Sequence, residues 1–365
     1  MWMLVEPGEP LARVSRYSRR SMRWPHVGEA ERLAFLCELG ASGGIEHWAL
    51  IPSSDVAAAL VARGYDELGR HFTHTIPPWD VIQWAYDKRR THELADRVGV
   101  ASPRTVSAAS AVGAAGPNLM FPVILKPAIK EEDNALTSAK AWRIEDRAEL
   151  ERLYRDACEL IDPDLLLVQE LVSGGGESQF SYAALCRDGV AIASVTARRT
   201  RQYPADFGRA STFVETVECS EIVEPSVSLL GEMGYTGLIE IEYKRDPRDG
   251  VLKLLDMNPR IWGWHSVCAR AGVDFPWLLW LLVCGDPVPA SQFQAGVRWL
   301  RVSTDTPTAV KELLRGRLAI SEYVRSLRRP RESAIFAWDD PLPGLAEFPL
   351  LAYVLARRLW AGEPV

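Results

Sequence analysis

Residues Gly234 to Gly263 read GYTGLIEIEYKRDPRDGVLKLLDMNPRIWG, and the reading of this stretch decides the fold. From Leu238 to Lys244, Ile239, Ile241 and Tyr243 alternate with Glu240 and Glu242, the period of a strand. Asp246-Pro-Arg-Asp-Gly250 is dense in residues that set turn dihedrals. Val251 to Met257 is mostly aliphatic and reads as the returning strand. Alternate side chains of a strand share a face, so Glu240 and Glu242 lie on one face of the first strand. Asp256 and Asn258 lie on one face of the second. If those faces coincide, three acids and an amide converge, with Arg260 just beyond. Oxygen-only donors suit Mg²⁺, which takes a few carboxylates and completes its shell with substrate phosphates. The alternative is a hairpin whose charges face water. Against it, Asp256-Met-Asn-Pro-Arg260 packs an acid, an amide and a cation directly behind an apolar strand.

Composition bounds the rest. A chain of 365 residues can bury the cores of two or three small domains. Its 47% apolar and 25% charged content is that of an ordinary globular protein, so neither disorder nor a fibrous class fits. A net charge of −6 argues against nucleic acid as partner. The basic clusters at Arg13–Arg23 and Arg325–Arg331 are short and read as solvated surface. Six scattered cysteines without a C-x-x-C pair fit reduced thiols in the cytoplasm rather than a disulfide frame or a zinc site. No signal peptide is visible at MWMLVEPGEP, and the longest apolar run, Phe275 to Cys284, is half a membrane span, so no membrane is expected.

Glu242, Asp256 and Asn258, closed by Asn-Pro-Arg260, resemble the magnesium signature of ATP-grasp ligases. That family includes carbamoyl-phosphate synthetase, biotin carboxylase and D-alanine–D-alanine ligase. Its middle ligand is usually Glu; Asp256 is one methylene shorter. The resemblance implies ATP, two Mg²⁺ ions (Mn²⁺ being the natural substitute) bridging its phosphates, and Arg260 near the phosphoryl-transfer centre.

Other segments extend the resemblance over about residues 80–285. A helix from Pro78 to Val98 contains Asp87-Lys88, and Gly99-Val-Ala-Ser-Pro103-Arg-Thr follows it. This pattern is similar to the opening of the ATP-grasp fold and implies that Lys88 reaches the phosphates; an exposed helix lysine is the plainer alternative. Phe121-Pro-Val-Ile-Leu-Lys126 is an apolar strand ending in a lysine, which is costly unless the lysine snorkels or meets an anion. It is similar to the family strand whose lysine contacts ATP. Residues Lys130 to Lys140 stand where many members carry a glycine-rich phosphate lid, and they contain no glycine. Leu165 to Gly174 resembles the adenine hinge, implying main-chain contacts from Glu170, Leu171 and Val172, with Glu177 as the acid for the ribose. Read alone, Gly174-Gly-Gly176 is no more than a flexible connection.

Gln179–Leu185 and Val190–Arg198 read as a hairpin around Asp188-Gly189. In Arg198-Arg-Thr-Arg201, alternation puts Arg199 and Arg201 on one face, where guanidinium groups suit an acceptor carboxylate or the γ-phosphate. A basic strand edge that discourages aggregation is the competing reading. His265 opens a helix, near the site or purely structural.

The expected fold is α/β (α+β). An incomplete Rossmann-like half-domain spans 1–85, with a helix from Glu29 to Leu39 stopped by Gly40 and strands at Met1–Val5 and His47–Ile51. An ATP-grasp domain spans 86–285, and a mixed extension without evident chemistry spans 286–365. An open sheet edge in the first domain would leave that domain poorly stable or pair it with a second copy, which makes a homodimer one of the two outcomes expected. The chemistry implied is phosphorylation of a small carboxylate by ATP and capture of the acyl phosphate by an amine. A phosphotransferase on the same fold and a non-catalytic ATP-binding module are the alternatives.

Overall fold

The expected hairpin forms from Gly237–Arg245 and Leu252–Asn258, antiparallel, with Glu240 opposite Asn258 and Glu242 opposite Asp256. The computed structural model describes residues 1–6, 11–113, 118–129, 134–203, 210–328 and 331–361. Among these, the hairpin forms one edge of a seven-stranded sheet. Beside it run Gln179–Arg187, Val190–Tyr203, Ala210–Thr216, Arg298–Leu300 and Arg331–Ser333, in that order. Asp188 and Gly189 join the second pair with φ of 49° and 81°, both left-handed, as a two-residue hairpin turn requires.

A four-stranded antiparallel sheet stands opposite, ordered Thr105–Ser107, Leu166–Glu170, Val123–Pro127 and Trp142–Ile144. Its apolar face packs on helices Ala108–Val112 and Arg147–Cys158 in a small core around Val123, Leu125, Leu136, Ile144 and Val168. The larger sheet is covered on both faces. Tyr182, Ile239, Ile241 and Tyr243 pack on one side toward the N-terminal helices; Ala183, Leu185, Val195 and Leu238 pack on the other against Trp262, Trp264 and Phe275.

Several sequence expectations shift. The helix expected over Pro78–Val98 is two helices, Trp79–Tyr86 and Lys88–Val98. Asp87 is extended between them and caps the second through the Arg89 N–H at 2.9 Å, a role its short side chain favours over a place inside a helix. Gly40 does not stop the first helix, which runs Glu29–Ser42. A Cβ at Gly40 would sit 2.5 Å from that of His71, so the glycine serves close packing instead. In residues 1–85 the strands form two separate parallel pairs, Trp2–Val5 with Arg20–Arg23 and Trp48–Leu50 with Phe72–His74. Residues 130–133 of the stretch compared with the phosphate lid lie outside the described residues. No helix among the described residues is long and apolar enough to cross a membrane.

Candidate functional site

The two sheets face each other across a cleft of about 510 Å³. The larger sheet presents the hairpin acids to it. Glu242, buried, accepts from Arg199 Nη2 at 2.9 Å, from Gln179 Nε2 at 2.7 Å and from Asn258 Nδ2 at 3.2 Å. Burial alone would raise its pKa; the Arg199 guanidinium and Lys140 outweigh that and hold it below the usual carboxylate range. Glu240 accepts from Ser181 Oγ and Trp264 Nε1, each at 2.9 Å, and from Asn258 Nδ2 at 3.2 Å. With no cation of its own, it is pushed upward by burial and by the neighbouring Glu242 charge. Asp256 faces Lys88 Nζ at 3.4 Å; burial pulls its pKa up, but Lys88, Lys126 and Lys140 together hold it low.

The smaller sheet brings Lys126. Its ammonium group is buried and donates to Gln169 Oε1 at 3.0 Å, while Gln169 Nε2 is held by Thr105 Oγ1 at 2.7 Å and His92 Nε2 at 3.0 Å. Burial, then the nearby Lys88 charge, lowers the Lys126 pKa to about 7. The apolar strand therefore does not let the lysine snorkel to solvent; it bonds the neutral Gln169 amide, and the Asp256 carboxylate is the negative charge that acts on it across the cleft. Glu170, Leu171 and Val172 line the same cleft, as expected of the hinge segment.

Two of the proposed site residues are not brought to the acids. Arg201 turns away and grips Asp305 with two bonds of 2.8 Å, stacked on Phe213 at 4.2 Å. The cause is a bulge: Arg199 opposes Val214 and Arg201 opposes Phe213, so Thr200 is an extra residue and the alternation that would have aligned the two arginines is broken. Glu177 accepts from the Gly175 N–H at 3.1 Å and lines a neighbouring recess with Gly174–Gly176 and Arg317 instead. His265 bonds the Trp262 carbonyl at 2.9 Å and is not among the cleft residues.

Arg260 does reach the cleft, but through a partner that sequence reasoning missed. Its guanidinium is clamped by Asp55, Nε to Oδ1 at 2.8 Å and Nη2 to Oδ2 at 3.2 Å. Asp55 is the first residue of helix Asp55–Arg63, so the N-terminal region helps build the site. Gln179, Ser181 and Trp264 were also missed; the first two appear through the register of their strand beside the hairpin, and Trp264 through the turn that folds back onto Glu240. The C-terminal extension was expected to carry no chemistry, yet Trp299, Arg301, Ala334 and Ile335 line one end of the cleft.

Among the described residues no three acids, histidines or cysteines form a ready cation cage. The donor set nevertheless fits Mg²⁺ delivered with a nucleotide, because Glu242 and Asp256 are oxygen donors in direct register and phosphates would supply the remaining oxygens.

Comparison with known proteins bears on the fold that carries this cleft. A family model described as ATP-grasp in the biosynthetic pathway with Ter operon matches residues 163–304. The biotin carboxylase domain of Hydrogenobacter thermophilus 2-oxoglutarate carboxylase, solved as a dimer with MgADP, ADP and bicarbonate, superposes with a TM-score of 0.62 at 17% identity over 81% of this chain and 67% of that one. An L-amino acid ligase from Bacillus licheniformis gives 0.53 at 16% identity over 72% of this chain and 62% of its own. Biotin carboxylase from Campylobacter jejuni, solved as a β-γ-ATP complex, gives 0.58 at 14% identity, covering 76% and 64%. This chain thus spans about two thirds of the solved chains it resembles. No curated protein matches it by sequence.

Proposed function

We propose, from the premise that this chain belongs to the ATP-grasp superfamily, that it is an ATP-dependent ligase joining a small carboxylate to an amine. One observation carries the reading: Glu242 and Asp256 stand in direct register on one sheet while Lys126, buried and bonded to the neutral Gln169 amide, faces the same cleft from the other. Lys88 and Lys126 would hold the phosphates, with residues 86–285 as the nucleotide-binding body. The N–H groups of Glu170 and Leu171 are held by the Arg104 and Pro122 carbonyls, so the adenine edge would meet the main chain at Val172. Glu242, Asp256 and Asn258 would hold Mg²⁺. When bound, the ion neutralises the phosphates and aligns the γ-phosphoryl group for in-line transfer.

Arg199 and Arg260 would orient the acceptor carboxylate. Its oxygen attacks the γ-phosphorus, the bond to the β-phosphate oxygen breaks, and ADP leaves. The amine nitrogen then attacks the acyl carbon and inorganic phosphate departs. No protein nucleophile is needed. The chemistry is one of positioning and charge neutralisation, for which the cleft's clustered cations are suited.

The test is a screen for ADP release over paired acids and amines with Mg²⁺, using the full chain. Amine-dependent release of phosphate supports ligation. Transfer of phosphate to a hydroxyl acceptor would replace it with a phosphotransferase, and ATP binding without turnover over a broad panel would leave a binding module.

A further inference from the structure

The cleft changes character along its length. The segment between the hairpin acids and the lysines is charged, but the row that continues from Arg199 is not. Arg199 opposes Val214 on the next strand and Val214 opposes Trp299 on the one after. Directly opposed residues share a face, so Trp299 lies on the face that carries Arg199. Two strand spacings separate them, about 10 Å. Ala334 and Ile335 line the cleft with Trp299, whereas Trp264 sits by the hairpin acids, its Nε1 on Glu240.

The charges nearby are already engaged. Glu240 is held by Ser181, Asn258 and Trp264, Asp55 by Arg260, and Arg301 at the rim gives its Nε to Glu347 at 3.1 Å. At this end the Glu347 carboxylate is taken by Arg301 and Ser303, and Glu240 lies at the other end of the cleft beside Trp264. An apolar body would meet the half-buried Ala334 and Ile335 and the small exposed part of the Trp299 indole, itself 4% exposed.

We propose that this end is the acceptor-acid pocket and that it selects a monocarboxylic acid with an uncharged, apolar, ring-sized body, its carboxylate at Arg199 and its ring toward Trp299, Ala334 and Ile335. The inference rests on the ligase reading for the identity of the reacting group. It gives the C-terminal extension a function: residues from beyond 286 set acid selectivity. A half-buried apolar wall of this kind discriminates by burial, and removing a ring from water is worth more than tenfold in binding.

The test traps the acyl phosphate with hydroxylamine, so that the natural amine need not be known. Full-length protein, MgATP and hydroxylamine are incubated with acetate, glycine, benzoate or phenylacetate, and the hydroxamate is measured. The expected result is a kcat/KM for an aryl acid at least tenfold above that for acetate or glycine. Ala334→Phe and Ile335→Trp, which fill the pocket, should reduce that ratio at least tenfold; retained thermal stabilisation by MgATP verifies that they fold.

Equal use of acetate, glycine and aryl acids would overturn the pocket and leave the ligase reading standing. If no acid yields hydroxamate, calorimetric titration of phenylacetate into protein saturated with a non-hydrolysable MgATP analogue decides. Binding that falls tenfold in Ala334→Phe keeps the pocket and removes the ligase reading, whereas absence of binding, or binding indifferent to the substitution, overturns the pocket.

Discussion

Replacing Arg199 by Met isolates the role of a guanidinium that touches Glu242 from within the larger sheet. Arg199 Nη2 and Glu242 Oε1 are 2.9 Å apart, with side chains only 7% and 9% exposed. Methionine fills much of the same volume, so the main change is a buried carboxylate that loses the cation hydrogen-bonded to it and keeps Lys140 as its remaining positive neighbour. Breaking a buried pair by removing one partner costs about 3–5 kcal/mol. At about 2 °C per kcal/mol for a chain of this size, the melting temperature in EDTA at pH 8 should fall by about 6–10 °C.

The pH dependence has a definite sign. In the wild type the Glu242 pKa is lowered, so its contribution is present above the unfolded carboxyl value and lost as the pH falls through the lowered value. In the variant Lys140 remains but the guanidinium does not, so the pKa moves upward from its wild-type value. The penalty is then full at neutral pH and fades as the pH drops toward the unfolded value of about 4.3. The gap between the two proteins should therefore narrow on acidification. Addition of Mg²⁺ at a hundred times its dissociation constant would return about 2.7 kcal/mol to any protein that binds it only when folded. Restoration should be greater in the variant, where the ion replaces the lost cation. Differential scanning calorimetry from pH 4 to 8, with and without Mg²⁺, is the assay. A melting temperature within 2 °C of wild type at pH 8, or a gap that widens on acidification, would refute the view that Arg199 is the resident counter-ion of Glu242.

Three further outcomes follow from the same geometry. Asp256→Asn should abolish ADP formation while moving the melting temperature by no more than about 1 kcal/mol equivalent, because its partner Lys88 at 3.4 Å is itself partly exposed; wild-type turnover would remove Asp256 from the proposed metal set. Lys126, with a pKa of about 7 in the ligand-free protein, should regain its proton as phosphates arrive. Between about pH 7 and its ordinary value near 10.4, ATP binding should take up as much as one proton and weaken as pH rises. Calorimetry in buffers of different ionisation enthalpy reads this uptake, and its persistence in Lys126→Ala would assign it elsewhere. Gly237 has φ of 119°, and a Cβ there would lie 2.5 Å from the Thr75 carbonyl, so Gly237→Ala should cost about 3 kcal/mol, read as a lower denaturant midpoint; an unchanged midpoint would show that the contact between the N-terminal region and the hairpin strand is yielding.

The sequence alone determined the elements whose cause is local. Alternating Glu240 and Glu242 with Ile239, Ile241 and Tyr243 specifies a strand and its faces, and Asp246 to Gly250 closes the hairpin, because strand period and turn dihedrals are properties of neighbouring residues. The apolar run ending at Lys126 likewise announced a lysine that must either snorkel or meet an anion, and the fold buries it at the cleft. What is not local was decided by the tertiary structure. The bulge at Thr200 depends on how Val190–Tyr203 pairs with Ala210–Thr216, and it sends Arg199 to Glu242 but Arg201 to Asp305. Asp55 meets Arg260 across 205 positions, and Trp299 shares the Arg199 face only because of the strand order in one sheet. Such meetings depend on which strands lie side by side, and no periodicity within a segment records that choice.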